Sequence, residues 1–348
     1  MIDSLQFERL QAIGLTAQIL QRRLALADDE AALMRVTEMQ RESLSLHDGV
    51  AERGARMLPA LLHRLLADGD ALAVGDWVLA SADAHGQWWV HERVPPVSQL
   101  ARRLHDGRDK VSRAVIVSNV DTVLLVMGLD MDFSLRRLER YLALVRMAGV
   151  AAVVVLTKAD TCTDVDGRRR AVEALLPPGV ATVAVNALSD EPCGALAPWL
   201  KAGQTLVLLG SSGTGKSTLT NALTGQPLQA TGAARRGDGR GRHTTTARSL
   251  HLAPGGACVI DKPGLRTLRL DGDAEGLDAV FGDIAQAALS CRFRDCSHQQ
   301  EPGCAVRAAV PAERLRNYHK LLREARRDTQ SVLERKAQVS QWKARGRA

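Results

Sequence analysis

One short segment of the chain carries residues typical of a phosphate-binding loop. The apolar run that precedes it, 204–209, predicts a strand, and the run that follows, 216–223, predicts a helix, which is the context that a P-loop requires. Glycines let the backbone approach a phosphate closely, and the helix N-terminus adds partial positive charge. The segment consists of Gly210, Ser211, Ser212, Gly213, Thr214, Gly215, Lys216, Ser217 and Thr218. We therefore predict that Lys216 contacts the β- and γ-phosphates of a nucleoside triphosphate and that Ser217 binds Mg²⁺.

A second motif, upstream of this loop, indicates which base is bound. The apolar run 153–156 leads into Thr157, Lys158, Ala159 and Asp160, a T-K-x-D version of the N-K-x-D guanine motif. The Asp160 carboxylate can accept hydrogen bonds from both N1–H and the 2-amino group of guanine. Adenine offers neither donor and would leave the carboxylate unpaired. The motif thus predicts GTP as the nucleotide.

Residues after the next predicted strand fit the same base. The run 180–185 ends at Asn186 and Ala187, where GTPases usually carry Ser-Ala and a backbone N–H meets guanine O6. Asn186 departs from that pattern, but both residues are candidates for the contact.

Downstream of the P-loop, two segments are candidates for the metal and the γ-phosphate. A Gly/Arg-rich stretch, 232–242, leads to His243 and to Thr245, which we assign to the Mg²⁺ shell. A D-x-P-G motif follows, in which Asp261 would hold Mg²⁺ and the Gly264 N–H would meet the γ-phosphate. Leu265 comes next, and an apolar side chain cannot orient water. His243 is therefore a candidate for orienting the attacking water, with a backbone-bracing role as the alternative.

The order of these motifs is unusual, because the guanine motif precedes the P-loop. A parallel α/β sheet presents its loops at the carboxyl edge of its strands, so the chain ends can be rewired without losing the site. The order therefore predicts a circularly permuted α/β P-loop GTPase.

Four potential metal ligands lie close together near the C-terminus: Cys291, Cys296, His298 and Cys304. Their spacing is typical of a structural Cys₃His zinc site, with one Zn²⁺ per chain and no open position for chemistry. The alternative is a group of buried thiols beside a surface histidine.

Taken together, the permuted motifs and the zinc loop resemble the RsgA/YjeQ family of small ribosomal subunit biogenesis GTPases. The segments 119–121 and 137–141 are also similar to that family. The resemblance covers about residues 33–318 and is strongest over 119–304. It implies GTP hydrolysis to GDP and phosphate in late maturation of the small (30S) ribosomal subunit, contact with its 16S rRNA, and stimulation of hydrolysis by the subunit.

Composition agrees with a multidomain protein that has an anionic partner. The 348 residues are enough for two or three domains, 45% of them are hydrophobic, and the net charge is +7. A solvated basic surface would give the same charge. No leader-like or membrane-spanning apolar run is present, so we expect a cytoplasmic monomer with no membrane partner.

The pattern of apolar runs predicts four regions. An N-terminal helical segment, 1–31, precedes an OB-type β-barrel, 32–100, and the circularly permuted GTPase domain spans 111–272. A zinc-binding helical module, 273–348, ends in a polar helix over 313–345. Five strands would form the barrel: 32–39, 42–47, 51–58, 74–80 and 87–93. The stretch 95–110 is interpreted as a linker.

Two other classes of protein fit parts of the sequence. One is a P-loop ATPase or kinase, against which Asp160 argues. The other is a zinc-stapled RNA-binding module whose nucleotide site is only regulatory, against which an intact Lys216, Ser217 and Asp261 argue.

Overall fold

The computed structural model describes residues 4–26, 31–40, 43–105, 111–227, 248–261, 275–278 and 280–329. It begins with two short helices, α1 (Ser4–Ala12) and α2 (Ala17–Leu24), in place of one continuous helical segment. The break is at Gly14, whose φ is +95° and where a Cβ would collide with the Arg35 guanidinium. Thr16 then caps α2, because its hydroxyl accepts a hydrogen bond from the Ile19 N–H at 3.3 Å.

Five strands follow and form a closed barrel, as predicted. They are β1 (Ala32–Met39), β2 (Leu44–His47), β3 (Glu52–Met57), β4 (Trp77–Ala82) and β5 (Trp88–Arg93), and α3 (Pro59–Ala67) lies between β3 and β4. Their order is β1-β2-β3-β5-β4, and β4 pairs back to β1. Met34, Leu46 and Val90 are fully buried inside the barrel, and Leu61 of α3 is nearly so. This is the OB-type arrangement.

One barrel strand begins three residues later than predicted. The expected strand over 74–80 starts at Trp77, because Gly75 has a φ of +92°. A Cβ at Gly75 would collide with the carbonyl oxygen of Ser118, so only glycine allows this close approach.

The linker expected over 95–110 is wrong for residues 99–105. Residues Gln99–His105 form β6, which pairs antiparallel with β7 (Val111–Ser118) as a two-stranded sheet. Leu100 on β6 and Ile116 on β7 are buried in the main core. The arginines of β6 hide the strand pattern in the sequence, and a partner strand supplies much of the apolar surface.

A six-stranded layer carries the nucleotide motifs. Its strands are β8 (Thr122–Gly128), β9 (Ala151–Thr157), β10 (Ala181–Ala184), β11 (Thr205–Leu209), β12 (Arg248–Leu252) and β13 (Cys258–Asp261). The order is β10-β9-β8-β11-β13-β12, and all are parallel except β12. Helices α4 (Leu135–Met147), α5 (Val165–Glu173), α6 (Glu191–Ala195) and α7 (Lys216–Thr224) connect them. Two apolar clusters pack against this layer, and β12 also pairs with β1 of the barrel.

The C-terminal region is helical around the cysteine loop. It contains α8 (Glu275–Asp278), α9 (Gly282–Ala288), α10 (Ala305–Ala309) and α11 (Ala312–Thr329). Phe281 and Tyr318 pack edge to face, with ring centroids 5.3 Å apart. The helix predicted over 313–345 is described as far as Thr329. Within the described ranges, no helix is both long and apolar enough to span a membrane.

Candidate functional site

The P-loop joins β11 to α7 as the sequence predicts, and its glycines are required by geometry. A Cβ at Gly210 would collide with the Val126 carbonyl of the neighbouring strand β8. Gly213 and Gly215 have φ angles of +84° and +85°, in the left-handed region that favours glycine. The loop is thereby wrapped tightly around the N-terminus of α7, where a phosphate is favourably bound.

Lys216 lies inside this loop and is only 7% exposed. Its ammonium donates to the Ser211 carbonyl oxygen, which also accepts from the Thr214 hydroxyl at 3.0 Å. Burial lowers the pKa of Lys216 to about 8, although the carboxylates of Asp261 and Asp132 act to raise it. The lysine that would contact phosphate is therefore held in place by the loop backbone.

The predicted metal ligands lie beside Lys216. Ser217, in the first turn of α7, is partly exposed. Asp261 ends β13, which is parallel and adjacent to β11, so it lies at the same edge of the sheet as the P-loop. Its carboxylate is buried and accepts from the Thr220 hydroxyl at 3.4 Å. Carboxylate and hydroxyl oxygens are ligands that Mg²⁺ prefers, and these two residues would hold it.

The T-K-x-D motif is bound directly to the P-loop. The Thr157 hydroxyl donates to the Thr214 carbonyl oxygen at 2.6 Å, although the two residues are 57 positions apart. The Lys158 ammonium donates to the Gly213 carbonyl oxygen at 2.7 Å and to the Asp130 carboxylate at 2.5 Å. The Thr157 hydroxyl thus tethers the motif to the P-loop, and Asp130 is a partner that the motif did not reveal.

The residues predicted to read guanine lie at the end of β9 and the end of β10. Asp160 is exposed in a single 3₁₀ turn (Ala159–Thr161), and within the described residues its carboxylate has no hydrogen-bond partner. The Asn186 N–H donates to the Glu191 carboxylate at 3.0 Å, so it is already engaged. The Ala187 N–H has no partner in the part of the chain that the structure describes, which makes it the better candidate for guanine O6.

Two side chains of α4 reach the P-loop without having been predicted to do so. Arg137 donates to the Ser211 hydroxyl oxygen at 2.8 Å, and the Tyr141 hydroxyl lies 3.4 Å from the same atom. The two residues are one helical turn apart and so share a face of α4. The signals in the sequence are that spacing and the family resemblance of the segment 137–141, and neither distinguishes Arg137 from the other arginines of the helix.

Several predicted residues lie outside the described ranges. These are His243, Thr245 and Gly264, with Leu265 and the Gly/Arg-rich stretch 232–242. Their assigned roles remain predictions.

The four predicted zinc ligands come together in the C-terminal region. Their ligand atoms all lie within 4.8 Å of one another. Nδ1 of His298 is 3.6 Å from the Cys291 sulfur and 3.5 Å from the Cys304 sulfur, and those two sulfurs are 4.0 Å apart. In a tetrahedral zinc site, Zn–S and Zn–N bond lengths separate the ligand atoms by about 3.5–3.8 Å. The arrangement, completed by Cys296, fits one zinc ion with all four positions filled by protein.

The loop around these ligands is held by its own hydrogen bonds. The Glu301 carboxylate accepts from the N–H groups of Ser297 and Gln299, both at 2.9 Å, and of Gln300 at 3.0 Å. The Ser297 hydroxyl, followed by backbone N–H groups that include those of Ser297 and Gln299, lowers the pKa of Glu301 to about 2. The Cys304 sulfur also accepts from the Arg307 N–H at 3.5 Å at the start of α10. The loop is therefore arranged in advance for a metal.

Relatives of this chain are found along most of its length. A family model described as RsgA GTPase matches residues 96–271. The small ribosomal subunit biogenesis GTPase RsgA 2 of Vibrio parahaemolyticus is 45% identical over 276 residues, 78% of this chain and 75% of that protein. The small ribosomal subunit biogenesis GTPase RsgA of Xanthomonas campestris is 42% identical over 331 residues, 92% of this chain and 88% of that protein.

Solved structures share the fold. YjeQ from Thermotoga maritima superposes with a TM-score of 0.61 at 24% identity, covering 84% of this chain and 98% of that chain. YloQ, a circularly permuted GTPase, superposes with a TM-score of 0.56 at 21% identity, covering 88% of this chain and 98% of that chain. These likenesses confirm the predicted fold class: an N-terminal β-barrel, a circularly permuted GTPase domain, and a C-terminal region with a cysteine–histidine cluster.

Proposed function

The chain belongs to the RsgA GTPase family, and from that premise we propose that it hydrolyses GTP to GDP and phosphate in late maturation of the small ribosomal subunit. One observation carries the choice of nucleotide. Thr157 and Lys158 are hydrogen-bonded to the P-loop carbonyls of Thr214 and Gly213. A motif that reads guanine is thereby anchored to a loop that binds phosphates, so one GTP molecule would contact both.

The roles of the site residues follow from their positions. Lys216 places a cation where the β- and γ-phosphates of a P-loop ligand lie, and Asp160 is free to pair with the guanine edge. Ser217 and Asp261 would hold Mg²⁺, which would offset the negative charge of the phosphates. A buried lysine and a buried carboxylate fixed before the ligand arrives need little rearrangement, and such preorganisation favours hydrolysis.

Nucleotide competition tests this part of the proposal. Purified protein is titrated with a fluorescent GDP analogue, and GTP and ATP are then used as competitors in the presence of Mg²⁺. GTP should compete at a concentration at least about a hundredfold lower than ATP, because ATP leaves Asp160 unpaired. Equal competition by the two nucleotides would favour the P-loop ATPase alternative.

The proposed ribosomal partner is supported by a basic groove. The groove lies between the zinc loop and α11, and its walls carry six arginine or lysine side chains and one carboxylate, that of Asp295. The basic residues are Arg136, Arg294, Arg307, Arg316, Lys320 and Arg323. This charge is suited to the phosphates of 16S rRNA, the proposed anionic partner.

Binding to purified small subunits tests the groove. Replacing Arg316, Lys320 and Arg323 by glutamine should weaken binding and flatten its dependence on salt, by about 0.7–0.9 in log–log slope for each phosphate that is no longer neutralised. A control variant neutralises Arg169, Arg170 and Lys201, which are exposed and do not line the groove. Equal weakening in both variants would show that net charge, and not the groove, determines binding.

We also propose that the small subunit stimulates hydrolysis. Leu265 follows the D-x-P-G motif where a polar water-orienting residue would be useful, so the isolated protein should turn over slowly. Steady-state phosphate release is measured against subunit concentration. Turnover that is already fast without subunits and does not rise would identify a free-standing GTPase.

A further inference from the structure

The guanidinium of Arg137 lies between two partners at the edge of the P-loop. It donates to the Ser211 hydroxyl oxygen at 2.8 Å, and it forms an ion pair with the Asp132 carboxylate at 2.6 Å. Ser211 is the P-loop residue whose carbonyl oxygen holds both the Lys216 ammonium and the Thr214 hydroxyl. Arg137 therefore contacts the residue on which the position of Lys216 depends.

Asp132 brings a negative charge close to the same place. It lies in the turn before α4, and its carboxylate is near enough to raise the pKa of Lys216. Oδ1 pairs with Arg137, whereas Oδ2 is buried and has no hydrogen-bond partner among the described residues. Without the guanidinium, the Asp132 carboxylate, whose side chain is 35% exposed, would face the region where Lys216 meets phosphate with no cation paired to it. Like charges at that separation repel.

We propose that Arg137 is a positioning residue of the nucleotide site, which holds Ser211 and offsets the charge of Asp132 so that a triphosphate is accepted. This inference rests on the GTP binding proposed above. It assigns to α4 a function in binding that none of the sequence motifs describes. Tyr141, one turn further along the helix, closes the same side of Ser211.

The proposal has a specific consequence for the choice between GTP and GDP. GTP carries one more phosphate, and hence more negative charge, than GDP. An uncompensated Asp132 should therefore weaken GTP binding more than GDP binding. For Arg137→Gln we expect about a tenfold loss of GTP affinity and less than about a threefold loss of GDP affinity, the range of one charge-assisted hydrogen bond and one ion pair.

Four variants of the full-length chain separate charge from shape. Arg137→Gln removes the charge, Arg137→Lys keeps it, and Arg137→Gln with Asp132→Asn removes both charges of the pair. Arg146→Gln is the matched control, because Arg146 is also on α4 but donates to the Pro178 carbonyl oxygen at 3.3 Å, away from the P-loop. Each is titrated with fluorescent GDP and with a non-hydrolysable GTP analogue in Mg²⁺, and folding is checked by circular dichroism and zinc content.

We expect the GTP-to-GDP affinity ratio to fall in Arg137→Gln. It should recover within about threefold of wild type in Arg137→Lys and in the double variant, and it should be unchanged in Arg146→Gln. A purely structural role would lower both affinities equally and would not be rescued by Asp132→Asn, and that result would overturn the proposal. Unchanged binding in Arg137→Gln would overturn it as well. Wild-type protein in the same titration tests the proposed function. If the wild type fails to bind GTP, both the proposed function and the inference about Arg137 are overturned. If the wild type binds GTP normally and the Arg137 variants have no effect, only the inference about Arg137 is overturned.

Discussion

Lys216 is the P-loop residue whose pKa is lowered by burial in the fold. Burial lowers its pKa to about 8 in the protein without nucleotide. A bound triphosphate, being negative, must raise that pKa again. Binding above about pH 8 therefore requires uptake of a proton, and we expect nucleotide affinity to fall toward tenfold per pH unit between about pH 8 and pH 9. Below that range Lys216 is already charged, and affinity should be nearly constant. Fluorescent GDP titrations across this pH range measure the effect.

The matched control for Lys216 is Lys216→Arg. Arginine stays charged throughout this range, so its variant should bind with an affinity that changes much less with pH, whatever its absolute value. Ionisation of the guanine base itself would affect both proteins alike. Parallel pH profiles for the two proteins would show that Lys216 does not set the dependence.

Asp160 offers the second prediction for a single residue. In Asp160→Asn, an amide replaces the carboxylate that would accept hydrogen bonds from two guanine donors. The single amide oxygen would accept only one of these hydrogen bonds. GTP binding should weaken by about 1–3 kcal/mol. Xanthosine triphosphate has a carbonyl oxygen in place of the guanine 2-amino group, so the new amide N–H should improve its binding. Competition titrations compare the two nucleotides. Asp166→Asn, at an exposed aspartate in the first turn of α5, is the control and should change neither affinity.

Residues that belong to local motifs could be predicted from the sequence, whereas residues whose partners are far away in the sequence could not. Lys216, Asp160 and the four predicted zinc ligands belong to three motifs, each of which lies within a single loop or turn. The residues of each motif are therefore close together both in the sequence and in space. Arg137 reaches Ser211 across 74 positions, and nothing in the run of arginines in α4 distinguishes it. Arg35 is missed for the same reason. It is fully buried and donates to the Thr205 hydroxyl at 2.9 Å and the Asn119 carbonyl at 3.2 Å.

At the level of whole elements, the same distinction separates correct from incorrect predictions. The strands around the motifs are almost continuously apolar, because parallel strands covered on both faces must be, and these were predicted correctly. The strand β6 was missed, since its arginines hide the apolar pattern and its stability comes from pairing with β7. The short strand β12 was also missed. Its pairing with β1 and β13 is set by the tertiary fold and not by its own pattern.

The zinc loop gives a prediction about an element. Cys304 is one of the four candidate zinc ligands and is also the N-cap of α10, so Cys304→Ser should both release zinc and loosen the segment that follows. Metal analysis should find about one zinc per chain in the wild type and far less in the variant, and hydrogen exchange over residues 291–310 should rise. Cys193→Ser, at an exposed cysteine outside the cluster, should keep the metal. Equimolar zinc in the Cys304 variant would contradict the assignment of this ligand.

Across the whole molecule, α4 connects the nucleotide site to the C-terminal region. One face of the helix meets the P-loop through Arg137 and Tyr141. The other meets α11, where the Glu139 carboxylate is 3% exposed and accepts from Arg314 and Asn317. A buried carboxylate is tolerated only when it is paired in this way. Helix α11 is thus attached to the same helix that contacts the phosphate-binding loop.

The pair formed by Arg140 of α4 and Glu324 of α11 tests this attachment. The guanidinium makes two hydrogen bonds to the carboxylate, at 2.7 and 2.8 Å, and the side chains are 22% and 28% exposed. Reversing either charge alone should weaken the docking of α11 by about 1–2 kcal/mol, because the bidentate pair is broken and like charges face each other. Hydrogen exchange of α11 amides should then be faster by about tenfold. Reversing both charges should restore most of the protection, since the pair is rebuilt with opposite polarity.

The control for this charge swap is the pair of Arg169 and Glu173, which lie one turn apart on α5. Their side chains are 48% and 43% exposed and 2.8 Å apart, so they form an ion pair within one helix and join no second element. Reversing either of these charges should leave exchange in α11 unchanged. If the single reversals at Arg140 and Glu324 also leave it unchanged, the pair does not hold the two regions together. If the double reversal protects the α11 amides no better than either single reversal does, Arg140 and Glu324 do not act as a pair. The attachment of α11 must then depend on the buried contacts of Glu139.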